Sequence, residues 1–328
     1  MEKIVFCLFI CLTGISSFFN KSFAWGFYAH AKINQHSIYL LPPELIKFYR
    51  NHVDFISDHA TDPDKRRYMV KEEGPRHYID LDHYGSFPFS DLPRKYEDAV
   101  RKFGSDSLHA HGVVPWHINI MLYRLTKAFR EKNIESVLRV SAELGHYVSD
   151  AHVPLHTSSN HNGQKSGQRG IHGFWESRVP ELLTDTEFDL IIGKASYLTN
   201  PEVFIWERIL ESANAVDSVL KFEMELTNEF PQHLKFGFEE RKEKIVKQYS
   251  TRFTKAYNDR LDHMVEKRMR ASIYSVACFW YTAWIDAGQP ELTAIKRDIF
   301  SDSIKKNWDI LNQRWMKGGE MIGRQEND

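Results

Sequence analysis

The stretch "HYVSDAHVPLH", residues 146–156, decides how the chain is read. His146 and Asp150 are four residues apart, which puts them on one face of a helix. Pro154 disfavours helix at the residue before it, so the helix is predicted to end there, with His156 just beyond. Upstream, "ESVLRVSAELG" spaces Val137, Leu138, Ala142 and Leu144 as an apolar stripe that Val148 continues. An otherwise core-facing helix therefore carries two donor side chains near its end. "HGFWES", residues 172–177, repeats the spacing with His172 and Glu176. Imidazole nitrogen and carboxylate oxygen are, with thiolate, the donors zinc accepts. One such pair is most simply a packed or solvated histidine. Two pairs close in sequence, with His156 between them, read as a metal cage.

Working outward, the pattern is helical nearly throughout. Apolar residues recur at three-and-four spacing over 31–41 and 43–53, with Pro42-Pro43 opening the second run. Residues 54–90 are rich in Asp, Pro, Gly and His and read as a long loop with short turns. "VPWHINIMLYRLTKAFREKN" is a helix with Pro115 in its first turn. Residues 157–171 form a polar loop, and a short helix starts near His172. Two long helical patterns follow residue 201. The second is read from 238 to 286, its charged residues 239–246 as a solvated face and "SIYSVACFWYTAWI" as a central core helix. No strand alternation and no internal repeat is evident. The expectation is an all-α single domain over 25–316 with a flexible tail at 317–328.

Composition narrows the function. The chain has 328 residues, 42% hydrophobic, with 43 basic against 44 acidic side chains. That balance excludes a strongly basic surface for duplex nucleic acid and an acidic solvating tail. Fourteen of the sixteen histidines lie between residues 30 and 172, so the chemistry is placed in the N-terminal half. Residues 4–19 are apolar, Lys3 precedes them, and Ser22 and Ala24 occupy small-residue cleavage positions. We therefore expect residues 1–24 to be a signal peptide cut between Ala24 and Trp25, and the protein to be secreted or periplasmic. No other apolar run approaches transmembrane length. Cleavage also removes Cys7 and Cys11, leaving Cys278 with no intramolecular partner.

These motifs, taken in order, resemble the superfamily of zinc-dependent phospholipases C and single-strand-specific nucleases. "WGFYAH" gives Trp25 and His30, "HATDPDKR" gives Asp62, and "RHYIDLD" gives His77. "GHYVSDAHVPLH" gives His146, Asp150 and His156, and "IHGFWES" gives His172 and Glu176. The resemblance implies a phospholipase C/nuclease-type helical fold with three zinc ions (Zn2+). Asp62, His77, His146 and Asp150 would hold one ion. The free amine and carbonyl of Trp25, with His30 and Asp150, would hold a second. His156, His172 and Glu176 would hold the third. Asp150 would bridge a close pair, and a zinc-bound hydroxide would attack phosphorus, with Asp62 a plausible proton acceptor. Asp62 is preferred over Asp58, Asp64 and Asp80 for its distance from His77. His109, His111 and His117 match no family position, and His152 and His161 are read as rim residues.

The substrate is divided. Glu176 and the short loop from His156 to His172 resemble the phospholipases. "HYID" resembles the nucleases' His-Phe-Ile-Asp, which implies substrate-binding roles for Tyr78 and Asp80. The nucleases' disulfides and a basic groove are absent. The favoured expectation is a phospholipase C-like phosphodiester hydrolase. The alternative is a single-strand nuclease of endonuclease/3'-nucleotidase type, and a minor one is a non-catalytic zinc-binding secreted protein. Partners are accordingly phospholipid or single-stranded nucleic acid.

Overall fold

A computed structural model describes residues 26–241, 244–292, 300–318, 321, 322 and 324. The chain is mostly helical. The predicted signal segment and Trp25 lie outside the described residues.

The helix that carries His146 and Asp150 is α8, Ile134–Asp150. Asn133 caps its start, its side chain accepting from Ser136 N at 3.1 Å. Its end obeys the proline rule: Val153 is extended and Pro154 begins a short 3₁₀ turn that carries His156. α8 packs along α7, Val114–Arg130, which has Pro115 in its first turn as expected. α1, Phe27–Ser37, crosses α8 at Gly145. A Cβ on Gly145 would collide with the Asn34 side chain, which donates instead to Ala142 O at 3.0 Å and Ile56 O at 3.3 Å. This close approach sets His30 of α1 against His146 of α8, rings stacked at 3.9 Å.

The central core helix is α14, Met264–Asp286, which packs on α1, α7 and α8. Trp280 is fully buried, donates to Ser141 O at 3.1 Å and stacks on Tyr49 at 5.0 Å. Truncating so large a buried ring costs about 3–5 kcal/mol, and through Trp280 α14 joins α7 and α1 in holding α8 in place. Cys278 lies buried on the same helix. Between α1 and α8 run the short helices α2 (Pro43–Arg50), α3 (Val53–Asp58), α4 (Asp62–Arg66), α5 (Tyr96–Phe103) and α6 (Ser105–His111). The segment read as loop thus holds α3, α4 and several 3₁₀ turns.

The C-terminal half departs from expectation in one place. Residues 238–286 are not one helix. After α11, Pro201–Glu229, and α12, Gln232–Lys235, come antiparallel strands β1, Phe236–Arg241, and β2, Lys244–Tyr249. α13, Thr251–Arg260, follows, and the chain breaks before α14 where Asp262 and His263 adopt left-handed φ of 50° and 55°. The charges at 239–241 belong to the hairpin: Glu239 pairs with Arg178, and Arg241 with Glu181 at 2.7 Å. Alternation was hidden because the exposed face of β1 carries Phe236 and Phe238. The last helix is α15, Asp302–Lys317. Among the described residues, no helix is long and apolar enough to cross a membrane.

Candidate metal centre

Three groups of buried donors converge between α1, α4, α8 and the turns that follow. They are His30, Asp64 and His146; His77, His146 and Asp150; and His156, His172 and Glu176. Two ligands on one tetrahedral zinc, at bonds of ~2.0–2.1 Å, stand about 3.3–3.5 Å apart. The observed separations bracket that value. His77 Nδ1 is 3.0 Å from Asp150 Oδ2, and His146 Nε2 is 3.2 Å from the same oxygen. Asp64 Oδ1 is 3.6 Å from His77 Nδ1 and 3.7 Å from His146 Nε2. His30 Nε2 is 3.5 Å from Asp150 Oδ1. Glu176 Oε2 is 3.0 Å from His172 Nε2 and 3.5 Å from His156 Nε2.

The local sequence explains each placement. His146 and Asp150 share the inward face of α8. His172 begins in α9, Ile171–Gly173, and Glu176 lies in the π turn Phe174–Arg178 that continues it. π turns widen a helix locally and recur at functional sites. His77 sits in an irregular segment held by backbone bonds: Ile79 N donates to His156 O at 2.9 Å. Val113 N donates to Pro75 O at 2.7 Å.

Four of the five imidazoles, those of His30, His77, His146 and His156, face a polar partner through the other ring nitrogen, as metal-binding histidines do. His30 Nδ1 meets Ser149 Oγ at 3.0 Å, His146 Nδ1 donates to Ala60 O at 2.8 Å, and His156 Nδ1 donates to His77 O at 2.8 Å. His77 Nε2 faces Glu73 Oε1 at 3.7 Å. Glu73 is itself fixed by Arg66 at 3.3 Å, by Arg76 at 2.8 Å and by the Tyr147 hydroxyl. Sequence reasoning missed Glu73. Four residues before His77, it looks like an ordinary acid in "KEEGPR".

Asp62 is not brought into the cluster. Its carboxylate takes a hydrogen bond from His59 at 2.6 Å and one from Lys65 at 3.1 Å. Asp64, two residues on, points inward and occupies the place expected of Asp62. The family distance from His77 was a poor guide because the two aspartates lie within one turn of α4, on different faces. Of the other expected ligands, His30, His77, His146, Asp150, His156, His172 and Glu176 are together. Trp25 lies outside the described residues. Gly26 beside it abuts the segment of the third group, since a Cβ there would stand 2.6 Å from Ser177 Oγ. Tyr78 and Asp80 are buried beside His77 and are covered by Arg324, which pairs with Asp80 and sits 4.1 Å from the centre of the Tyr78 ring. His152 is no rim residue: it is fully buried, bonded to Val148 O at 2.8 Å and Ser275 Oγ at 3.0 Å.

The electrostatics point to a cation. Burying several carboxylates costs several kcal/mol each unless positive charge compensates them. Burial pushes the His146 pKa down to about 3, helped by His30. Burial also opposes charge on His77, but hydrogen bonds to Asp150 and Glu73 prevail and raise it to about 9. Without a metal, a proton on His77 would offset only part of that charge. Asp150 is held well below the carboxylate range, its burial outweighed by His146 and His156. The donor set of imidazoles and carboxylates, without thiolate, fits borderline ions such as zinc.

Compared with models of protein families and with curated proteins, the chain matches none.

Proposed function

We propose that this protein is a zinc-dependent phosphodiester hydrolase of the phospholipase C and single-strand nuclease type. The observation that carries the reading is the position of Asp150, whose two oxygens face separate donor groups with His146 common to both sides. That arrangement suits two cations held close together, the design by which paired metals clamp a phosphoryl centre. His77, His146, Asp64 and Asp150 would hold one ion, His30 and Asp150 a second, and His156, His172 and Glu176 a third. When bound, such ions supply Lewis acidity that makes a nucleophile of water near neutral pH and offsets phosphate charge. The residues themselves orient the donors and exclude bulk water. Asp64, rather than Asp62, lies among the donors and would take a proton at its carboxylate. A free amine at Trp25 would complete the second site.

Phospholipid is the favoured substrate over nucleic acid. Tyr78, the residue matched to a base-stacking aromatic, is 3% exposed and lies under Arg324. Glu176 stands where the resemblance to phospholipases is strongest. The test is a side-by-side assay of the purified mature chain on phosphatidylcholine, single-stranded DNA and RNA, with metal content measured on the same sample. Release of diacylglycerol in preference to nucleotides supports the phospholipase reading. Nucleotide release alone selects the nuclease. Bound zinc with no turnover on any of the three leaves the non-catalytic alternative.

A further inference from the structure

Beyond α15 the sequence suggests a frayed tail, yet the tail returns to the donor cluster. Met321 is buried. Ile322 N donates to Arg67 O at 2.9 Å, and the Arg67 guanidinium donates to Arg324 O at 2.9 Å. Arg324 then pairs with Asp80, covers the Tyr78 ring, and donates through Nη2 to Leu155 O at 3.4 Å and Ser158 O at 3.1 Å.

Every one of these anchors lies within three residues of a donor of the cluster. Arg67 lies three residues after Asp64. Tyr78 follows His77, and Leu155 precedes His156. The His156 turn is far along the chain from the other two segments, and all three lie outside long helices. The planar guanidinium of Arg324 joins the His77 and His156 turns, because its donors are fixed in a fork that meets several acceptors at once, while its backbone carbonyl takes the bond from Arg67.

We propose that Arg324 is a positioning residue for the metal centre, holding the His77 and His156 turns in register with each other and, through Arg67, with the α4 segment that carries Asp64. This role rests on the reading of the donor cluster as a metal centre. A direct role in gripping a substrate anion is disfavoured by the same geometry. Nη1 is engaged by Asp80 and Nη2 by two carbonyls, and the remaining donor, Nε, is buried, so the fork offers no exposed pair of donors to a phosphate.

The test is metal release from the full mature chain into a chromophoric chelator, compared among wild type, Arg324→Ala, Arg324→Lys, Asp80→Asn and the Arg324→Ala/Asp80→Asn double variant. Circular dichroism first establishes that each is folded. Loss of a residue that orients metal ligands typically weakens metal binding 10–100-fold, so Arg324→Ala is expected to release metal at least ~10-fold faster. Lysine keeps the charge facing Asp80 without the fork, so Arg324→Lys falls between. Asp80→Asn shows a loss of its own, and the double variant is no worse than the poorer single one, the non-additivity expected of a direct pair. Release from Arg324→Ala at the wild-type rate overturns the proposal. So does unchanged release with faster phosphodiester hydrolysis, which makes the tail a plug instead of a clasp. A wild-type protein that takes up no metal removes the centre itself, a failure seen before any variant is compared.

Discussion

Asp150 and His77 meet at 3.0 Å through Oδ2, while the other oxygen of Asp150 lies 3.5 Å from His30. One carboxylate therefore faces two sets of imidazoles, and its loss touches both. Asp150→Asn keeps size but removes the charge that would hold two dications close. We predict a fall in turnover of ~10³ or more, a barrier increase of about 4 kcal/mol, with metal lost from both groups. Glu176→Gln touches only the third group and falls less. Steady-state turnover and metal content of the two variants check this. Near-normal turnover with full metal in Asp150→Asn removes the bridging assignment.

Asp64 and Asp62 are separated by the same kind of comparison. Asp64→Asn is expected to lose metal and activity. Asp62→Asn gives up only its bonds to His59 and Lys65 and is expected to keep its metal. Atomic absorption on both proteins decides, and the reverse result returns Asp62 to the centre.

Glu73 carries the next prediction. Burial would raise its pKa, but the hydrogen bond from His77 and the charge of Arg66 hold it far below the glutamate range. Its stabilising contribution is present above the unfolded pKa near 4.5 and is lost as pH falls toward the folded value. Glu73→Gln removes the carboxylate that Arg66 and Arg76 share, while Arg66 keeps Glu143, so the expected cost is about 1–3 kcal/mol. Denaturant unfolding of the metal-free protein measures it. The same variant loosens the orientation of His77, so metal affinity is expected to drop roughly 10–100-fold. A variant as stable as wild type, with unchanged affinity, contradicts both parts.

The pH dependence of metal uptake follows from His77. Its pKa in the metal-free fold is raised to about 9 from an ordinary 6.5. A raised pKa stabilises the metal-free fold fully below pH 6.5, and that contribution fades as pH climbs through about 9. Metal at the His77 group must displace this proton, so affinity there rises with pH up to about 9 and binding at that group near pH 7.5 releases the proton. Calorimetry in two buffers of different ionisation enthalpy counts it. Zero release at pH 7.5 places His77 outside the centre.

How much of this the sequence disclosed depends on the range of each contact. His146/Asp150 and His172/Glu176 were legible because helical spacing alone puts each pair on one face. The end of α8 was legible because Pro154 acts on its neighbour. Asp62 against Asp64 was not, since position within a turn does not say which carboxylate finds His59 and which finds His146. The hairpin at 236–249 was hidden by exposed aromatics, and the break at Asp262 and His263 by residues that elsewhere continue helices. Arg324 acts across the fold, 244 residues from Asp80, and nothing local marks it; Glu73 stands four residues before His77, but in a segment without the helical pattern that made that spacing legible elsewhere.

The most direct test of the account is anomalous diffraction at the zinc edge from crystals of the mature protein grown with zinc. The account predicts three strong peaks: one among Asp64, His77, His146 and Asp150, one beside His30 and Asp150, and one among His156, His172 and Glu176. Zinc peaks confined to other places, or none within these groups, contradict it.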